Sequence, residues 1–146
     1  MIRIALILPL LFFLFNTYAD ESDYKTIKNT VDCKKVSARV CDLFYKDSIA
    51  VAFKEMKEYW PLPSDEIDDL QEKTIKYLNL IDERYGYKIG PVKIKDETID
   101  TFAIKEIYLL RYEKSAIKII FKYYDTGHGW ILNGFKWDDE YSTEFK

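Results

Sequence analysis

The chain has 146 residues, with 22 Lys and Arg against 25 Asp and Glu, one histidine and two cysteines. A net charge of −3 without a basic tail argues against a nucleic-acid partner, because phosphate binding needs clustered positive charge. One histidine cannot build a zinc site, and there is no phosphate-binding glycine loop, nucleophile elbow or paired metal-ligand motif, so no metal or cofactor is expected.

Met1–Ala19 carries one early positive charge at Arg3, an apolar run from Ile4 to Phe15, and Thr17 and Ala19 at small-x-small spacing. This is the pattern of a secretory signal peptide, residues 1–19, too short and wrongly flanked for a good membrane span. Cleavage near Ala19 is expected to give a periplasmic or secreted protein that meets the membrane only during export. Residues 20–146 have the length of one domain. Within them, 20–30 are polar and expected to be loosely held.

From about Thr30 the pattern turns helical, with Cys33, Val36, Val40 and Leu43 recurring at three- and four-residue steps. Asp47 or Ser48 can cap a second helix whose stripe is Ile49, Phe53, Met56 and Trp60; whether it continues the first is open. Pro61 and Pro63 end that segment. Ser64 is expected to cap a third helix, with Asp65, Glu66, Asp68 and Asp69 near its positive end. Its buried stripe reads Ile67, Leu70, Thr74, Tyr77, Ile81 and Tyr85, and Gly86 stops it.

The second half reads as sheet. Tyr87–Lys95 begins it, and Gly90-Pro91 marks a bulge or an edge. Thr101–Glu113 and Ala116–Tyr124 form a hairpin across Lys114-Ser115. With Glu113 opposite Ala116, Tyr108 faces Phe121 and Glu106 faces Tyr123. Alternation then puts Phe102, Ile104, Glu106, Tyr108, Leu110 and Tyr112 on one surface with Ile117, Ile119, Phe121 and Tyr123. The other surface is mixed, as in an antiparallel sheet covered on one side. A last strand, Trp130–Trp137, follows a glycine turn; of its two alternating sets, the one containing Asn133, Phe135 and Trp137 is taken as inward. The expected fold class is α+β, with N-terminal helices packed on a curved antiparallel sheet of about four strands.

An exported chain with two cysteines favours a Cys33–Cys41 disulfide. The spacing opposes it: eight residues of continuous helix separate Cα atoms by about 12 Å, where a bridge tolerates only ~4.4–6.8 Å. The bridge therefore requires the helix to begin after Cys33.

Helices followed by a long antiparallel sheet ending in Trp130-x-Leu132-x-x-Phe135-x-Trp137 resemble the nuclear transport factor two-like superfamily, the cystatin-like α+β cone. The resemblance runs from about Val36 to Phe145 and rests on Tyr108–Arg111, Phe121–Tyr124, Gly129-Trp130, Leu132-Asn133 and Phe135–Asp139. It is close to small exported bacterial members of unassigned function. Enzymes of the superfamily, of the isomerase, dehydratase and cyclase types, use an Asp or His base beside a Tyr within the cone. No residue here matches that base by position, so no catalytic residue is assigned.

The residues themselves offer one constellation. Glu106, alone charged in an apolar set, would lie beside Tyr123 and be walled by Tyr108, Phe121 and Asn133, forming a candidate pocket between helices and sheet; the plainer reading is a Glu106 near the sheet end, hydrated or paired with a lysine. The resulting expectation is a small exported binding or interaction module, taking a small apolar ligand or an envelope protein. The alternatives are an isomerase- or dehydratase-type cone enzyme using Glu106 with Tyr123, and an envelope protein that binds or inhibits a partner through its sheet face. A filled interior favours a protein partner, an open apolar cavity favours a ligand, and a buried Glu106 within reach of Tyr123 favours an enzyme.

Overall fold

The computed structural model describes residues 23–146; the expected signal peptide lies outside them. Three helices precede a four-stranded antiparallel meander of order β1-β2-β3-β4, an α+β fold with the helices packed on a curved sheet. No helix among the described residues is long and apolar enough to cross a membrane.

Helix α1 (Thr30–Tyr45) starts where Asn29 accepts a 2.9 Å hydrogen bond from the Asp32 amide, satisfying one of the free donors of the first turn. It ends at Asp47, which adopts a left-handed φ of 58° and separates α1 from α2 (Ile49–Lys57). The two helices are thus distinct. All four expected residues of the second stripe, Ile49, Phe53, Met56 and Trp60, are buried. Helix α3 (Ser64–Tyr85) begins with Ser64 inside its first turn and Pro63 at the cap position, so the expected Ser64 cap does not form. Its buried side uses Leu78 where Tyr77 was expected, and Tyr77 is exposed. An advance of 3.6 residues per turn from Ile67 through Thr74 reaches Leu78 rather than Tyr77.

The segment 23–30 is not loose. Ile27 is buried and exchanges backbone hydrogen bonds with Trp130, at 2.7 and 2.8 Å, while the Lys25 amide bonds to the Glu58 carbonyl. Gly129 makes this possible: a Cβ there would stand 2.6 Å from that of Thr26, and its φ of 128° suits glycine alone.

Strands β1 (Lys88–Ile99), β2 (Ala103–Tyr112), β3 (Ala116–Asp125) and β4 (Trp130–Asp138) pair in sequence. The β2–β3 register differs from the expected one by two residues. Arg111 faces Ala116, Tyr108 faces Ile119, Glu106 faces Phe121 and Ile104 faces Tyr123. A longer loop closes the hairpin, with the Tyr112 amide bonded to the Ser115 carbonyl. Because side chains alternate with period two, a shift of two residues keeps every side chain on its expected face.

Three extra residues break the alternation. Ile89 and Ile94 are extra on β1 against β2, and Asn133 is extra on β4 against β3. The last of these lets Trp130 and Leu132 point inward at one end of β4, and Phe135 and Trp137 at the other. Both alternating sets of this strand are therefore half right. The core is aromatic at its centre, where Phe135 packs against Phe44, Phe53, Trp60 and Phe121 at ring separations of 5.9, 5.7, 6.1 and 5.5 Å. The Trp137 indole N–H donates to the buried Thr74 hydroxyl at 3.1 Å and joins α3 to the sheet.

Candidate functional site

Glu106 points inward from the middle of β2, as its alternating set requires, and is wholly enclosed. Enclosing a carboxylate costs several kcal/mol, of order, unless a cation or donors meet it. Here the cation is Lys93 of β1, whose Nζ lies 2.7 Å from Glu106 Oε1. The ion pair is close, and neither carboxylate oxygen has a well-aligned hydrogen-bond donor among the described residues. Lys93 continues outward to Asp96 at 3.4 Å, and Asp96 meets Lys34 of α1 at 3.6 Å. The Lys93 ammonium also lies 5.8 Å from the centre of the Tyr108 ring. Desolvation pulls its pKa down, but Glu106 and then Asp96 outweigh that and leave it raised.

The residues expected around Glu106 do not all assemble there. Tyr108 and Phe121 do line the enclosed side of the sheet, packed edge to face at 5.9 Å. Tyr123 is inward but sits opposite Ile104, and its hydroxyl is 2.7 Å from that of Ser37 on α1. The expected Glu106–Tyr123 pair is therefore a Glu106–Lys93 pair and a Tyr123–Ser37 pair. Asn133, the extra residue of β4, is exposed on the outer face and belongs to no inward pocket. None of the main surface depressions of the described residues is lined by Glu106, Tyr108 or Phe121.

Cys33 and Cys41 are both buried and both free. The expected disulfide is absent because α1 runs unbroken from Thr30, so eight residues of helix hold the two Cα atoms about 12 Å apart. Burial first, then the negative charge of Glu106 and Asp32, pushes the Cys33 thiol up to about 12. Cys41 is raised by burial and then Glu106. Burial thus favours the neutral thiol at both positions, the less nucleophilic form. Burial, with Glu106 the next charge in line, also raises Tyr108; Tyr123 is raised by burial and Glu106 against the opposing Ser37 hydrogen bond. These groups are packed in their neutral forms, and no His, Cys, Asp or Glu cluster among the described residues can hold a metal ion.

The outer face of the sheet was named only as a whole, as an alternative surface for a partner, with no residues assigned to it. One half is covered by the chain's own C-terminal segment, with a short turn of helix, η1 (Ser142–Glu144), on its way. Glu144 reaches Lys95 of β1 at 2.6 Å and Lys118 of β3 at 3.5 Å, and Tyr141 and Phe145 stack at 6.0 Å. Lys118, on the outer face of β3, is only 8% exposed as a result. The Lys95 ammonium holds the Glu144 carboxyl below its ordinary value against desolvation, and Lys118 adds to the effect. The other half is bare. It forms a depression of 620 Å³ that includes Ile99, Phe102, Tyr124, Lys105, Lys122 and Lys136. Ile99 is 64% exposed, and Phe102 and Tyr124 pack edge to face at 5.9 Å while keeping more than a third of their surface in water.

The only sequence sign of this patch was the exposed parity of Lys105, Ile120 and Lys122. Ile99 and Phe102 stand at the turn between β1 and β2, where alternation gives no guidance. Comparison with protein-family models, curated proteins and solved structures gives no match, so the function must be argued from this geometry alone.

Proposed function

We propose that the protein is a small exported interaction module that performs no reaction and binds a partner protein through the bare half of its outer sheet face. The observation that carries this reading is the contrast between the two sides of the sheet. On the inner side Glu106 is matched by Lys93, Tyr123 by Ser37, and the aromatic core fills the space between helices and strands. On the outer side Ile99, Phe102 and Tyr124 remain exposed around a concave surface. Exposed apolar side chains gathered in one place, with polar groups around them, are the usual form of an interaction surface. An enzyme reading would need a titratable group open to substrate, and Glu106 is enclosed. The kinship with nuclear transport factor two-like proteins and export by a cleaved signal peptide belong to the same proposal.

The test is site-directed photocrosslinking in the envelope of the producing cell, with the crosslinker at position 102 or 124 and a control at the exposed Val31 of α1. A discrete adduct with another protein is expected from 102 and 124 and not from 31. Adducts equal at all three positions, or none at 102 and 124, would overturn the reading. Mass measurement of the same protein should give a chain beginning at Asp20; an intact Met1 would refute the export.

A further inference from the structure

We infer that the bare half of the outer face receives a short acidic peptide segment carrying an aromatic side chain, the same chemistry as the chain's own C-terminal segment. This rests on the proposal that the face binds a protein and specifies what that partner presents.

The covered half shows what this sheet face holds. The segment 138–146 reads Asp-Asp-Glu-Tyr-Ser-Thr-Glu-Phe-Lys. Its Glu144 carboxylate lies between Lys95 and Lys118, while Tyr141 and Phe145 lie with Ile94 and Leu109 around a small apolar hollow. Acidic groups thus meet lysines and aromatic rings meet aliphatic side chains, on a strand surface that is otherwise flat.

The bare half repeats the arrangement with the occupant missing. Lys105 of β2 stands directly opposite Lys122 of β3, a like-charge pair that is unfavourable on a sheet unless an anion intervenes. Lys105 has Glu97 at 3.1 Å, but Lys122 has no ion-pair partner among the described residues. Lys136 of β4 adds a third ammonium, with only Asp138 at 4.0 Å. The Lys122 stem passes over Gly134, with its Cε 3.5 Å from where a Cβ would stand, so the absence of a side chain there leaves room for the stem. Beside these cations, Ile99, Phe102 and Tyr124 offer an apolar wall on which an aromatic ring can pack. In a chain of net charge −3, this locally positive patch attracts an acidic segment, while the acidic remainder of the surface repels it elsewhere.

The test uses the full mature chain and a fluorescent peptide of residues 138–146 as probe, followed by anisotropy and by amide chemical-shift mapping. Binding that weakens with salt is expected, with shifts at residues 99–105 and 122–124. Affinity should fall at least tenfold in K122E/K136E, whose melting temperature should be unchanged. It should also fall for a peptide with Tyr141 and Phe145 replaced by Ala, and for one with its acidic residues replaced by amides. Shifts confined to Lys95 and Lys118 would mean simple exchange with the covered seat and would overturn the inference. So would equal binding of the amide peptide. Loss of the photocrosslinked partner in K122E/K136E without any peptide binding would leave the interaction reading standing and remove the peptide. Recruitment of the wild-type chain, but not K122E/K136E, to phosphatidylglycerol vesicles with no peptide binding would replace the peptide by a lipid surface.

Discussion

Glu106 and Glu144 meet lysines on opposite sides of the same sheet, and the two sites behave differently. Glu106 is fixed in the middle of a strand, fully enclosed, with one ammonium beside it. Glu144 is brought by a terminal segment to two ammonium groups at the protein surface. Their partners are neighbours: Lys93 and Lys95 are two residues apart on β1, a spacing that in a regular strand puts both on one face. The extra residue Ile94 turns them apart, so that Lys93 serves the inside and Lys95 the outside. Similar pairs thus have unequal consequences, because one charge has water as an alternative and the other does not.

The largest expected effect comes from removing the inner cation. Lys93→Met leaves Glu106 enclosed and unmatched, and should destabilise by about 3 kcal/mol, read from urea unfolding. Glu106→Leu should cost much less, because Lys93 keeps Asp96 and part of its head reaches water. The double variant should equal or exceed the wild type. If Glu106→Leu proves the more damaging single change, the inner pair is not what holds that carboxylate.

The buried thiols report the same difference without a spectroscopic label. In the native chain Cys33 and Cys41 should react with iodoacetamide only through opening, and both should label once the protein is unfolded without reductant. In Lys93→Met the native labelling rate should rise roughly 100-fold, the counterpart of about 3 kcal/mol. One unlabelled pair after unfolding would restore the disulfide.

The smallest effect belongs to the outer pair. Glu144→Gln should cost about 1 kcal/mol or less, since the terminal segment that carries it can lift away and let both lysines reach water. Its pH dependence has a definite sign. The Glu144 carboxyl titrates below its ordinary 4.5, so its stabilisation is complete above that value and is lost as pH falls through the lowered one. The protection of amides at residues 141–145, taken relative to their intrinsic exchange rates, should therefore fall in acid before the sheet is affected, and should not do so in Glu144→Gln.

Much of the architecture was legible because it depends on periodicity. Helix faces followed from the 3.6-residue repeat, with Tyr77 in place of Leu78 as the main error, and strand faces followed from alternation. Even a misplaced register left Glu106 on the correct side, since the error was two residues. Of the three extra residues, Ile89 was signalled by the neighbouring Gly90-Pro91, but Ile94 and Asn133 were not, because an inserted residue on a strand leaves no mark in the apolar pattern. Asn133 was assigned inward for that reason, and Lys93 was never considered as the partner of Glu106. The Glu106–Tyr123 pair failed on register, and Ser37 was overlooked because a small hydroxyl on a helix face carries no distinctive signal. The outer patch escaped for a different reason: Phe102 was placed in the core by parity, but it lies just before β2 begins, in the turn.

Strand β1 has a further consequence, for the protein at high concentration. It is an edge of the sheet, twelve residues long, and such an edge ordinarily offers its unpaired amides and carbonyls to another chain. Here Pro91 has no amide hydrogen to give, and the extra residues at 89 and 94 interrupt the spacing of the rest. The irregularities that divide two lysines between two faces also deny an incoming strand a ladder to climb, and so guard the chain against fibrous aggregation.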